Sequence, residues 1–248
     1  MGFVGHAFVD WDDTIAENIR YFTETEEINC RLIARATGAD PEQVRIRGRE
    51  LDLATARRMG LGRESLPTAW LTCYREFAAR AGVPVDPETE AEVVRACRIP
   101  YEVRQEILPG APEVLTWLHT RGFEVLIWTA GDHEVQFRKI RESGLTHLIH
   151  GMCIVPEKTP EVLRAALADR DPARCFVVGN SVHSDIRPGL ALGLLAIHVP
   201  AETWAYDDGE INPNHPRYRR VEGIHEVPKV VADWFRLPLE SLPNSARR

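Results

Sequence analysis

Val4 to Val9 is a short apolar run that stops abruptly at Asp10-Trp11-Asp12-Asp13-Thr14. A run of that length reads as a buried strand, and the acidic stretch as the polar turn at its carboxyl end. From Ile15 to about Arg104 the texture turns helical, with no convincing strand. Ile28, Leu32, Ile33 and Ala36 recur at helical spacing ahead of Gly38, and Pro41 stands just inside a second start. Leu51 to Met59 continues helical to Gly60. Trp70, Tyr74 and Phe77 make a third apolar face closed by Gly82, and Pro87 opens a fourth helix running to about Cys97.

Beyond Pro109-Gly110 helices and strands alternate. Helices are expected at Ala111–His119, His133–Glu142, Pro160–Leu167, Ile186–Leu192 and Val227–Phe235. Strands are expected at Phe123–Trp128, Leu148–Val155, Cys175–Val178, Leu195–Val199 and near Tyr218–Val221. From Leu237 the chain reads as frayed. Alternation of this kind implies right-handed crossovers and a parallel sheet covered on both faces. The fold class is therefore α/β: a Rossmann-like, doubly wound core of residues 1–15 and 105–248, with residues 16–104 as an inserted helical domain. An insert placed just after strand one would sit over that strand's carboxyl end, where open parallel sheets bind ligands.

Composition narrows the function classes. The chain has 248 residues, 44% hydrophobic and 27% charged, enough apolar material for a real core. A formal net charge of -7 argues against affinity for nucleic acid backbones. No apolar stretch is long enough to span a membrane, and no polybasic patch suggests a membrane surface. Met1 to Asp10 lacks the basic and apolar regions of a secretion signal. The five cysteines are odd in number and scattered, which fits neither a zinc site nor a disulfide framework; reduced thiols in a cytoplasm fit best.

Four polar clusters each follow an apolar strand: Asp10/Asp12/Thr14, then Thr129, then Lys158, then Gly179-Asn180-Ser181 with Asp185. Lys158 stands out because the chain has only two other lysines, Lys139 and Lys229. Each cluster also has a plainer reading. Thr14-Ile15-Ala16-Glu17 is a good capping box, Thr129 could be a turn residue, and Asp185 could cap the helix from Ile186. Gly179 would allow close backbone approach at a turn. Trp11 could meet the insert or a substrate, or simply pack. Arg45, Arg47 and Arg49 read best as a solvated helix face, and Trp70, Tyr74 and Phe77 as the insert's core.

In this order the clusters VDWDDT, LIWTAGD, EKTP and VVGNSVHSD resemble the haloacid dehalogenase-like (HAD) hydrolase superfamily, across nearly the whole chain. The helical insert lies where that family carries its C1 cap. The resemblance implies a Mg²⁺-dependent phosphohydrolase acting on a small phosphorylated metabolite. Asp10 would be the nucleophile, forming an aspartyl-phosphate, and Asp12 the acid/base. Thr129, Ala130 and Lys158 would contact the phosphoryl group. Mg²⁺ would be held by Asp10, the Asp12 carbonyl and Asn180, with Asp185 ligating or orienting from behind. Asn180 stands where many family phosphatases have Asp, so the site would carry less negative charge.

The same resemblance separates branches. Haloacid dehalogenases lack the second Asp, because a halide leaves without a proton. Phosphonoacetaldehyde hydrolases need a cap lysine, and none occurs between Ile15 and Arg104. A sugar phosphomutase shares the aspartyl-phosphate and stays open on motifs alone. So does a non-catalytic protein that binds a phosphorylated metabolite on the same fold. Oligomeric state is not readable.

Overall fold

The structure, a computed structural model, describes residues 2–202 and 211–238. Its contacts divide the chain into two compact units, one of residues up to Glu17 together with those from Arg104 onward, the other Asn18–Val103.

Strand β1 (His6–Val9) precedes the helices of the second unit: α1 (Ile19–Thr37), α2 (Pro41–Met59), α3 (Ser65–Ala81) and α4 (Pro87–Glu102). Proline at the start of α2 and α4 follows Asp40 and Asp86, whose carboxylates accept from the first free backbone N–H groups. The unit has its own core of Cys30, Ile33, Val44, Trp70, Tyr74, Phe77 and Val93, so the aromatic face of α3 is packing. Helix α4 runs past the expected end near Cys97 and contains Pro100. A proline there leaves the carbonyl four residues back without its helical donor. The buried Thr25 hydroxyl of α1 replaces it, donating to the Ala96 oxygen at 3.1 Å.

The first unit continues through α5 (Ala111–Thr120), β2 (Glu124–Ala130), α6 (His133–Glu142), β3 (Gly151–Val155), α7 (Pro160–Leu167), β4 (Cys175–Gly179), α8 (Arg187–Ala191), β5 (Leu195–His198), β6 (Tyr218–Arg220) and α9 (Val227–Phe235). The six strands form one parallel sheet in the order β3-β2-β1-β4-β5-β6. Successive strand residues feed opposite cores. Ala7, Val9, Val125 and Ile127 pack with α5 and α9 on one face, while Phe8, Leu126, Trp128 and Val177 pack with α7 on the other. This is the doubly wound α/β architecture, and both faces are buried as all-parallel sheets require.

Other boundaries also differ from expectation. Residues 146–148 close a tight turn, with Leu148 N–H donating to the Leu145 carbonyl, so β3 starts only at Gly151. Residues 182–186 make a wide π turn before α8, so the helix begins one residue late. The Thr14–Glu17 capping box does not start a helix: α1 begins at Ile19, and the Thr14 hydroxyl is used elsewhere. The stretch expected to fray lies, from residue 239 on, outside the described residues. Among the described residues no helix is long and apolar enough to cross a membrane, and all five cysteines are free thiols.

The sheet order reverses between β1 and β4. Strands β2 and β3 follow β1 to one side, and β5 and β6 follow β4 to the other, leaving a crevice at their shared carboxyl ends.

Gly48 of α2 offers a check on the helical unit. A methyl group there would overlap the buried Trp70 ring. Alanine improves helix propensity by about 1 kcal/mol, but overpacking costs about 1–3 kcal/mol. Gly48→Ala is expected to lower stability in urea unfolding, and the second change Trp70→Phe to restore part of it. A more stable Gly48→Ala would contradict the packing.

Candidate active site

Asp10 leaves β1 at the crevice, its N–H bonded to the Val178 carbonyl of β4 at 2.9 Å. That bond ties the ends of the two switch-point strands together. The carboxylate is almost fully buried and has two side-chain partners among the described residues. Oδ1 accepts from Lys158 Nζ, and Oδ2 accepts from the Thr14 hydroxyl at 3.0 Å. The same hydroxyl lies 3.4 Å from Asn180 Oδ1, so an oxygen from the end of β1 and one from the end of β4 converge.

Lys158 follows β3 and precedes α7, whose first turn is capped by the Thr159 side chain. Its Nζ also donates to Asp185 Oδ1 at 2.7 Å. Asp185 is fully buried within the π turn, and its Oδ2 accepts from Ser181 N–H at 3.2 Å. Both Asp185 oxygens are thus engaged, which suits it to orient Lys158. It does not cap α8. Gly179 is required here, since a methyl group would overlap the Asp185 carboxylate. His198 Nε2 is 3.1 Å from the Asn180 carbonyl, which can only accept, so Nε2 donates there, and Nδ1 lies 2.9 Å from the Tyr218 hydroxyl.

Burial dominates the electrostatics. It pushes the Asp10 carboxyl up to about 7 against the pull of Lys158, and nearby Asp185 and Asp12 push the same way. Burial works against the Lys158 charge, yet Asp10 and Asp185 together hold its ammonium above the ordinary lysine value. With Asp10 ionised, an ammonium between two carboxylates leaves one negative charge in excess, which favours a further cation.

Asp12 stands in a separate environment. Its Oδ1 accepts from Gln105 Nε2 at 2.7 Å and Lys139 Nζ at 3.2 Å, and its Oδ2 from Gln136 Nε2 at 2.8 Å. Trp11 is fully buried and donates to Gln105 Oε1 at 2.8 Å, so it packs and fixes that amide. Gln136 Nε2 also reaches Thr129 Oγ1 at 2.6 Å. Ala130 ends β2 in register with Val155.

The residues named from sequence thus gather at one end of the sheet. Arg45, Arg47 and Arg49 are instead held by Glu26, Glu76 and Glu50 inside the helical unit. Gln105, Gln136 and Lys139 were not expected. For the last two a signal was present in α6, where Gln136 and Lys139 share the buried face with Val135 and Ile140.

Among the described residues no three His, Cys, Asp or Glu side chains are grouped to hold a metal. The donor set is of another kind: the Asp10 carboxylate, the Asn180 amide oxygen, and excess negative charge. Magnesium accepts one or two carboxylates with waters and substrate oxygens completing its shell, so the set fits that ion.

A family model described as haloacid dehalogenase-like hydrolase matches residues 4–193. The structure is similar to a haloacid dehalogenase-like family hydrolase from Xanthomonas campestris, with TM-score 0.80 and 24% identity over 95% of this chain and 98% of that one. It is also similar to a putative HAD-hydrolase from Bacillus subtilis bound to magnesium, with TM-score 0.61 and 17% identity over 93% and 99%. Further matching structures include both phosphatases and dehalogenases. No curated protein matches the chain.

A buried acid with a raised value stabilises the fold below its unfolded value and loses that contribution as pH rises toward the folded one. For Asp10 that window runs from 3.8 to about 7. In EDTA, Asp10→Asn is expected to unfold at a higher temperature than wild type at pH 8, with the gap closing toward pH 4. Each kcal/mol should appear as roughly 2–4 °C. A gap independent of pH would contradict the assignment.

Proposed function

The chain belongs to the haloacid dehalogenase-like hydrolase family, and within it we propose that this member is a cytoplasmic, Mg²⁺-dependent phosphohydrolase of small phosphorylated metabolites. One observation carries the reading: two carboxylates two residues apart stand in different settings, Asp10 against Lys158 and Asp12 amid three donors. That is the division of labour that nucleophilic phosphoryl transfer needs.

Held by Asp10, Asn180 and the Asp12 carbonyl, Mg²⁺ would neutralise phosphoryl oxygens that otherwise repel a carboxylate. Asp10 attacks phosphorus while the bond to the leaving oxygen breaks. The bonding pair goes to that oxygen, which takes a proton from Asp12. Water then attacks the phosphorus of the aspartyl-phosphate, Asp12 takes the water's proton, and phosphate and the Asp10 carboxylate are released. Lys158 balances charge on the transferring group, and Thr129 and Ala130 hold its oxygens. Asp185 holds Lys158 in place. Substrate selection is assigned to the helical unit, acting as a cap.

Asp12 argues against dehalogenation, because a halide departs as an anion and needs no acid. Phosphate release from a panel of phosphate esters tests the reading. Release is expected with Mg²⁺, lost with EDTA, and lowered at least about 10³-fold in Asp10→Asn. Chloride release from a 2-haloacid, or no metal-dependent turnover of any ester, would overturn it. Isomerised sugar phosphate without free phosphate would point to a mutase.

A further inference from the structure

Helix α6 buries a glutamine and a lysine on the face that carries Val135 and Ile140. Buried polar groups are costly unless fully paired, so their partners explain their presence. Asp132 caps the helix, accepting from Glu134 and Val135 N–H at 3.0 and 3.1 Å, which fixes the register of the first turn. Gln136 and Lys139, three residues apart, therefore meet Asp12 from a rigid element.

A carboxylate offers about four acceptor positions. At Asp12, Gln105 and Lys139 fill both positions on Oδ1, and Gln136 fills one on Oδ2. Among the described residues nothing else meets Oδ2, so one position on it remains for a proton. Since Asp12 can only accept in its ionised form, the Gln136 amide must present its nitrogen, and that NH₂ has two hydrogens. One meets Asp12 Oδ2 and the other Thr129 Oγ1. The threonine oxygen is thereby used as an acceptor, leaving its own O–H to donate outward.

We propose that Asp12 Oδ2 is the oxygen that carries the transferred proton, and that Gln136 and Lys139 are positioning residues that aim it. This rests on the phosphohydrolase reading. Gln136 sets the spacing between the proton-bearing oxygen and the Thr129 hydroxyl that binds the phosphoryl group. As the proton leaves Oδ2 for the departing oxygen, the charge left on Asp12 is met at Oδ1 by the Lys139 ammonium. Neither side chain touches substrate.

A proton matters for a poor leaving group and little for a good one, and this separates positioning from mere structural support. The test compares kcat/KM, which reports formation of the phosphoenzyme, for an alkyl phosphate and for p-nitrophenyl phosphate with Mg²⁺. In Lys139→Met and Gln136→Met the alkyl ester is expected to lose on the order of 10²-fold and the aryl ester far less. Lys139→Arg is expected to recover part of the alkyl activity. Gln136→Met removes no charge, so it reports even if Lys139→Met fails to fold. Equal losses on both esters, or no loss on either, overturn the proposal while leaving the phosphohydrolase standing. A wild type that releases phosphate from neither ester overturns both.

Discussion

A single buried ammonium group organises this site. Lys158 Nζ bonds to Asp10 and Asp185, and all three side chains are withdrawn from solvent. Each charge would be expensive alone, because burial removes its hydration. Together they are tolerable only if the ends of β1, β3 and β4 come to one place. The sheet order β3-β2-β1-β4-β5-β6 does this by reversing direction beside β1. The electrostatics therefore depend on the topology, and the topology is fixed by apolar strands whose alternate residues feed two cores.

Close by, the Asp12 carboxylate receives three donors and belongs to a network that reaches Trp11 and Thr129. The two aspartates are near neighbours in sequence, yet their carboxylates share no hydrogen-bond partner among the described residues. Such separation lets one carboxylate serve as nucleophile while the other handles protons. Gly179 protects the arrangement from behind, leaving room for Asp185 to turn toward Lys158.

Much of this was legible in the sequence, because it is carried by local pattern. Apolar runs closed by polar turns mark the strands, and the four clusters that follow them are the residues the fold gathers. What stayed hidden depends on contacts distant in sequence. Thr14-Ile15-Ala16-Glu17 fits a capping box, but the Thr14 hydroxyl bonds to Asp10 and lies near Asn180, which only folding brings close. Helix α4 runs on through Pro100, past the expected end near Cys97, and the carbonyl this proline frees is met by the Thr25 hydroxyl of another helix. Lys139 was noticed as a rare lysine, but its partner lies 127 positions away. A polar residue on the apolar face of an amphipathic helix was the available clue, and it says that a partner exists without saying which.

The central claim is that Asp10 takes the phosphoryl group onto its own carboxylate. Acid-quenching a turnover mixture with Mg²⁺ and a phosphate ester, followed by peptide mass spectrometry, tests this most directly. The expected result is a hydroxylamine-labile phosphoryl group on the peptide containing Asp10, absent in Asp10→Asn. Turnover with no trapped phosphoryl group, or with the group on another residue, would contradict the account.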